Sequence, residues 1–153
     1  MHCGRGPALH GRSVSDELRD RLSALLPGHL PGLFGIELLA AEHGFVEGRM
    51  ELRSDFMAPN GYLHAATVVA LADSLCGMGC IASLPEGATG FTTIELKTNF
   101  VRSARTGEAL RAEARMVHGG RTTQVWDAAV RRESDGKDLA LFRCTQYLLA
   151  AER

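Results

Sequence analysis

Residues 64–82 constrain this chain more than any other stretch: His64 opens a run through Ala65-Ala66-Thr67-Val68-Val69-Ala70-Leu71-Ala72-Asp73-Ser74 that continues to Ala82 almost without charge. As a helix it would be about 27 Å long and apolar on every side. A helix apolar all round must be covered all round, and one curved sheet reaches only part of its circumference. Something further has to cover the rest. Asp73 is its one carboxylate, and a lone acid in such surroundings is disfavoured unless it has a partner or a task. The run is close to the roughly 20 apolar residues that span a bilayer. Asp73, Gly77 and Gly79 interrupt it and amphipathic strands follow, so it reads as a core helix and no membrane partner is expected.

The flanking segments set the fold class. Ser13 or Ser15 can cap a short helix with Leu18, Leu22, Leu25 and Leu26 at helical spacing, ended by Pro27-Gly28. Pro31-Gly32 breaks the chain again. Two strands follow, Gly35 to Ala41 and Phe45 to Arg53; in the second, Val46, Met50 and Leu52 alternate with charged residues, so one face is wet. After the long helix, from about His64 to Ala82, the pattern from Phe91 is strand after strand. The turns His118-Gly119-Gly120-Arg121 and Ser134-Asp135-Gly136-Lys137 imply two consecutive hairpins. The order is helix, two strands, long helix, four strands, without repeat or βαβ alternation. It predicts an α+β domain with an antiparallel sheet wrapped round one helix.

With 153 residues the chain fits one domain over 13–153, after an arm at 1–12 that has no apolar run and is expected to be disordered rather than a secretory signal. Net charge is −1, and no basic cluster is interleaved with aromatics, so nucleic acid is not an expected partner. Cys3, Cys76, Cys80 and Cys144 do not form the framework of a small secreted protein and read as reduced thiols of a cytoplasmic one. Cys76 and Cys80 are one helical turn apart, but no further ligand follows at metal spacing, so no metal is expected.

His64 and Asp73 cannot converge within one helix, because nine residues give about 13 Å of rise and roughly half a turn of azimuth. Two antiparallel helices related by a two-fold axis could set His64 and the Ala65 amide of one chain beside Asp73 of the other. An active site at a subunit interface, two per dimer, is therefore expected.

The run His64-Ala65-Ala66 to Leu71-Ala72-Asp73, with the strand after it and the Gly120-Arg121 and Gly136-Lys137 turns, resembles the PaaI-like branch of the hotdog-fold acyl-CoA thioesterases over roughly residues 33–149. In that family the helix opens with His-Gly-Gly and reaches its catalytic acid in a Leu-Ala-Asp segment. The resemblance implies a hotdog fold, a homodimer at least with tetramers common, two sheets made continuous, and central helices near the interface. It also implies hydrolysis of an acyl-CoA or aryl-CoA thioester to acid and coenzyme A, with no cofactor beyond the coenzyme A of the substrate.

Thioester hydrolysis needs a base or nucleophile and dipoles aimed at the developing oxyanion. Among its apolar neighbours Asp73 should have a raised pKa, which makes it a better base for water or a direct nucleophile. The N–H of Ala65, with that of Ala66, can polarise the carbonyl from the helix N-terminus. Alanines here replace the family's Gly-Gly, which bears on acyl preference. His64 orients the loop or the substrate carbonyl, or only caps the helix. Many relatives carry Asn or Gln six residues before the histidine, where this chain has Ala58; Asn60, beside Gly61, could fill that volume or simply be a turn residue. The resemblance aligns Thr93 with a strand hydroxyl that positions water, and period-two alternation puts it on the face shared by Glu95 and Lys97, opposite Ile94 and Leu96. Arg102, Arg105 and Arg121, at strand ends or turns, are candidates for the coenzyme phosphates, Arg121 foremost because its glycines let a ligand approach. Three other readings compete: a non-catalytic acyl-CoA-binding hotdog module, a hydratase, and a purely structural homodimer. The last explains Asp73 least well.

Overall fold

The computed structural model describes residues 13–150; the expected arm at 1–12 lies outside them. Helix α1, Val14–Ser23, starts in a capping box in which the Ser13 side chain accepts from Asp16 N and Asp16 reaches back to the cap. A four-residue helix α2, Leu30–Leu33, stands where Pro31-Gly32 was read as a plain break. Proline suits a first helical turn, and Gly32 is needed because a Cβ there would lie 2.4 Å from the Leu26 carbonyl oxygen. Strands β1, Glu37–Glu42, and β2, Phe45–Glu51, are displaced from or shorter than expected. A single 3-10 turn, Ser54–Phe56, leads to the long helix α3, Ala65–Ala82, and then β3 Ala88–Phe100, β4 Ala109–Gly119, β5 Thr123–Arg132 and β6 Asp138–Ala150.

The six strands form one antiparallel sheet in the order β1-β2-β4-β5-β6-β3. Both expected hairpins are present, and β3, first of the four late strands, closes the sheet by pairing with the last. Helix α3 packs against every strand. Leu71, Ala72, Leu75 and Cys76 on it meet Val46, Met50, Leu110, Ala114, Trp126 and Val130 in one core. Each large side chain so buried contributes about 1.5–3 kcal/mol. Helix and sheet approach closely at three glycines: a Cβ on Gly79 would lie 2.5 Å from the Trp126 ring, one on Gly48 2.7 Å from Leu75, and one on Gly77 2.9 Å from the Phe91 ring. The end of α3 is held by polar groups. Trp126 Nε1 donates to Gln124 Oε1 (2.8 Å), Gln124 Nε2 to Ser83 O (2.8 Å), and Gly44 N to Ser83 Oγ (2.8 Å). By length and composition α3 could cross a membrane, yet half of it is buried inside the fold.

One irregularity decides the face of Thr93. The β3–β6 register runs Thr93↔Gln146 and then Glu95↔Thr145, so Ile94 is an extra residue, a bulge. A bulge inverts the alternation beyond it. Thr93 consequently shares its face with Leu96 and Thr98, paired with buried Cys144 and Phe142, and not with Glu95 and Lys97 as simple alternation had it.

Candidate active site

The approach to α3 is built as a small closed loop. Met57 and Leu63 form an isolated bridge, Ala58 N donates to Tyr62 O (2.7 Å), and Gly61 N to Ala58 O (2.9 Å). Gly61 sits at φ +84°, a conformation glycine adopts without strain. Asn60 Oδ1 accepts from Tyr62 N (3.2 Å), so Asn60 serves as a turn former. The loop is pinned to the helix at Phe56, whose carbonyl accepts from His64 N (3.2 Å) and from Thr67 Oγ1 (2.9 Å).

His64 is the N-cap of α3, extended at φ −67°, ψ 131°. Its Nδ1 accepts from Ala66 N at 3.0 Å, so that nitrogen carries no proton and the exposed Nε2 edge is left for a ligand. The same bond commits the Ala66 amide. Among the described residues no acceptor takes the N–H of Ala65, which points out of the positive end of an 18-residue helix.

Asp73 lies two turns along α3, on a partly exposed stripe with Val69 and Ala70. Burial pushes its carboxyl above the ordinary value, and Thr93 Oγ1 stands 3.5 Å from Oδ1, where it draws the carboxyl back only when that hydroxyl turns its proton to Asp73. Behind Thr93, Gln146 is fully buried, and Thr93 Oγ1 stands 2.9 Å from its Oε1. Within one chain, then, Asp73 and Thr93 are together, while Ala65 is about 12 Å of helical rise away. Gln146 was not picked out from the sequence. The signal was there: β6 turns Ala140, Phe142, Cys144 and Leu148 inward, and glutamine occupies the inward position between the last two.

Arg102, Arg105 and Arg121 lie, as expected, past a strand end or in turns. Arg102 Nη1 donates to Asp138 O (2.9 Å) and ties the end of β3 to β6. Arg121 is exposed in the β4–β5 turn, and among the described residues no contact joins either arginine to Asp73 or His64. Arg105 instead lines a cleft of about 670 Å³ with Asn60, Gly61 and Tyr62. Arg132, in its wall, is held by Asp135 (3.0 Å) and the Ser103 carbonyl (2.8 Å).

Cys76, Cys80 and Cys144 are free and buried. Burial, then the Cys144 charge, pushes Cys80 up to about 12; a hydrogen bond with Cys144 and then burial drive Cys76 well above its ordinary value. No group of three or more His, Cys, Asp or Glu among the described residues is placed to hold a metal.

The chain has counterparts among known proteins. The thioesterase superfamily profile matches residues 60–138. The chain is 32% identical over 111 residues to the 1,4-dihydroxy-2-naphthoyl-CoA hydrolase of Listeria monocytogenes, covering 72% of this chain and 88% of that one. It is 26% identical over 109 residues to the acyl-coenzyme A thioesterase PaaI of Escherichia coli, covering 71% and 74%. In three dimensions it superposes on a mutant form of the thioesterase PA1618 from Pseudomonas aeruginosa with a TM-score of 0.80 at 30% identity, over 92% of this chain and 98% of that one.

Proposed function

The chain belongs to the thioesterase superfamily and has its hotdog fold, and from that premise we propose that it hydrolyses an acyl-CoA or aryl-CoA thioester at two equivalent sites of a homodimer, with Asp73 as the base. The observation that carries this reading is Asp73 itself: half-buried, raised in pKa by desolvation, and set on the one stripe of α3 that the chain's own sheet leaves partly open. A carboxylate in that state takes a proton from water more readily than a solvated one.

The dimer is read from β3. It is a sheet edge, and Ile94, Leu96, Phe100 and Val101 along it and just past it are 58, 45, 48 and 51% exposed. An unpaired edge with apolar side chains is a template for a second strand. Antiparallel pairing of two β3 strands about a two-fold axis would make the sheets continuous and bring the start of one α3 toward the middle of the other.

Asp73 accepts a proton from water as the water oxygen adds to the thioester carbonyl carbon. The resulting oxyanion is met by the Ala65 N–H and the helix dipole of the second copy. Collapse breaks the C–S bond, the leaving thiolate takes the proton held by Asp73, and acid and coenzyme A depart. His64 holds the helix start and presents Nε2 to the substrate. Arg105, in the cleft beside Asn60 and Gly61, is better placed than Arg102 for the coenzyme phosphates, and Arg121 stays a candidate. No cofactor or metal enters any step, and the free, buried core thiols support a reducing, cytoplasmic setting.

The test is thiol release from short, long and aromatic acyl-CoAs by the wild type and Asp73→Asn. Loss of a general base lowers turnover by about 10²–10⁴-fold, with the dimer retained. Undiminished turnover in the variant removes Asp73 from the mechanism.

A further inference from the structure

The Thr93 hydroxyl has one proton and two acceptors within reach, Gln146 Oε1 at 2.9 Å and Asp73 Oδ1 at 3.5 Å. A hydroxyl donates once. The shorter contact is the stronger one, and the orientation of Gln146 supports it: Gln146 Nε2 donates to Cys144 Sγ (3.3 Å), which turns Oε1 toward Thr93. Gln146 has no exposure to water, and among the described residues no donor other than Thr93 bonds its side-chain oxygen.

We propose that Gln146 is a positioning residue for thioester hydrolysis: it draws the Thr93 proton away from Asp73 and so keeps that carboxylate short of hydrogen bonds. The Thr93 oxygen, its proton turned inward, then offers lone pairs toward the site, where they can accept a hydrogen bond from the attacking water. This rests on Asp73 being the base. The groups facing Asp73 are few. Cys76 on α3 is held protonated, Thr93 lies on β3 with Gln146 of β6 behind it, and His64 of the second copy would approach in the proposed dimer. Among the described residues no charged side chain contributes to the upward shift of Asp73, which comes from burial. The direction of one hydroxyl proton is therefore a lever with little opposition.

The experiment follows kcat/KM for thiol release through the acid limb of the pH profile in wild type, Gln146→Met, Thr93→Val, the double variant and Asp73→Asn. Methionine fills the volume without an oxygen, so the Thr93 proton turns to Asp73 and stabilises the carboxylate. The limb moves to lower pH by about half to one unit, the size of one hydroxyl hydrogen bond, and the plateau falls. In Thr93→Val the limb stays where it is in wild type, because the lost proton was not serving Asp73. The double variant matches Thr93→Val, and Thr93→Ser restores the response to Gln146→Met. A purely structural glutamine moves none of these limbs. A limb unmoved by Gln146→Met, or shifted upward by Thr93→Val, overturns the proposal, and the second result decides even if Gln146→Met fails to fold. Undiminished turnover in Asp73→Asn, or a wild type without an acid limb, overturns the base assignment and this proposal together; an inactive Asp73→Asn with an unmoved limb overturns this proposal alone.

Discussion

The two edges of the sheet are built on opposite principles. Strand β1 is six residues long, bulged between Leu38 and Ala40, bounded by exposed Glu37 and Glu42, and flanked by α1. Strand β3 is thirteen residues long, and its exposed positions include Ile94, Leu96 and Phe100. Short length, a bulge, charge and a covering helix are the devices by which an edge is kept from pairing. β1 has all four; β3 has register shifts between Ala88 and Gly90 and between Thr93 and Glu95 and the exposed charges Glu95 and Lys97, but it is long and exposes large apolar side chains. The half-buried acid lies on the α3 stripe that faces toward β3, through Thr93. The edge left available and the side of the helix left available are therefore the same side, which is what a site shared between two chains requires.

The strongest way to break this comparison is a charge at each edge. Leu96→Asp should dissociate the dimer in sedimentation and lower thiol release by at least about 10²–10³-fold, the scale of a lost oxyanion donor. Ala40→Asp on β1 should leave assembly and rate near wild type; equal sensitivity at both edges would refute the asymmetry.

Next in size is Ala65→Pro. His64 already has the extended backbone that precedes a proline, and proline fits a first helical position, so the helix persists while the N–H is deleted. Turnover should again fall by about 10²–10³-fold. Refolded as an equal mixture with Asp73→Asn, it should regain about a quarter of the wild-type rate, since half of the dimers are mixed and each has one intact site. Absence of recovery would place both groups in one chain.

Gly79→Ala acts on the covered flank of α3 and sharpens the contrast. Overpacking against Trp126, typically 1–3 kcal/mol, outweighs the roughly 1 kcal/mol of helix propensity gained. A lower denaturation midpoint with unchanged sedimentation is expected.

The smallest effect concerns pH. The folded pKa of Asp73 is raised, so ionised Asp73 weighs against the fold above that pKa, and nothing is lost below the unfolded value, where both states are protonated. Asp73→Asn should melt higher at neutral pH, by about 2–4 °C for each kcal/mol relieved. That advantage should vanish as pH falls through the unfolded pKa.

Much of this was legible in the residues. The apolar run fixed α3 to within a residue, and glycine-bearing turns marked the late hairpins, because both signals are local. What could not be read is non-local. The bulge at Ile94 is a property of β3 against β6, and without it period-two counting turned Thr93 outward. That β3 would be an edge depends on which strand β6 chose as its neighbour. Proline within α2 read as a breaker because only packing against Leu26 shows that a short turn of helix continues there. Gln146 escaped notice because glutamine in a strand ordinarily means solvent, although its parity pointed inward.

The three thiols sealed where α3 meets the sheet have a practical side. A disulfide reagent attacks thiolates, and Cys76, Cys80 and Cys144 are buried, with Cys76 and Cys80 held protonated far above neutral pH. Among the described residues no thiol competes, so colour that grows with turnover counts product sulfur, with the interior silent. Heat or denaturant would unmask those same sulfurs, so one chromogenic reagent can report turnover while the protein is folded and collapse once it is not.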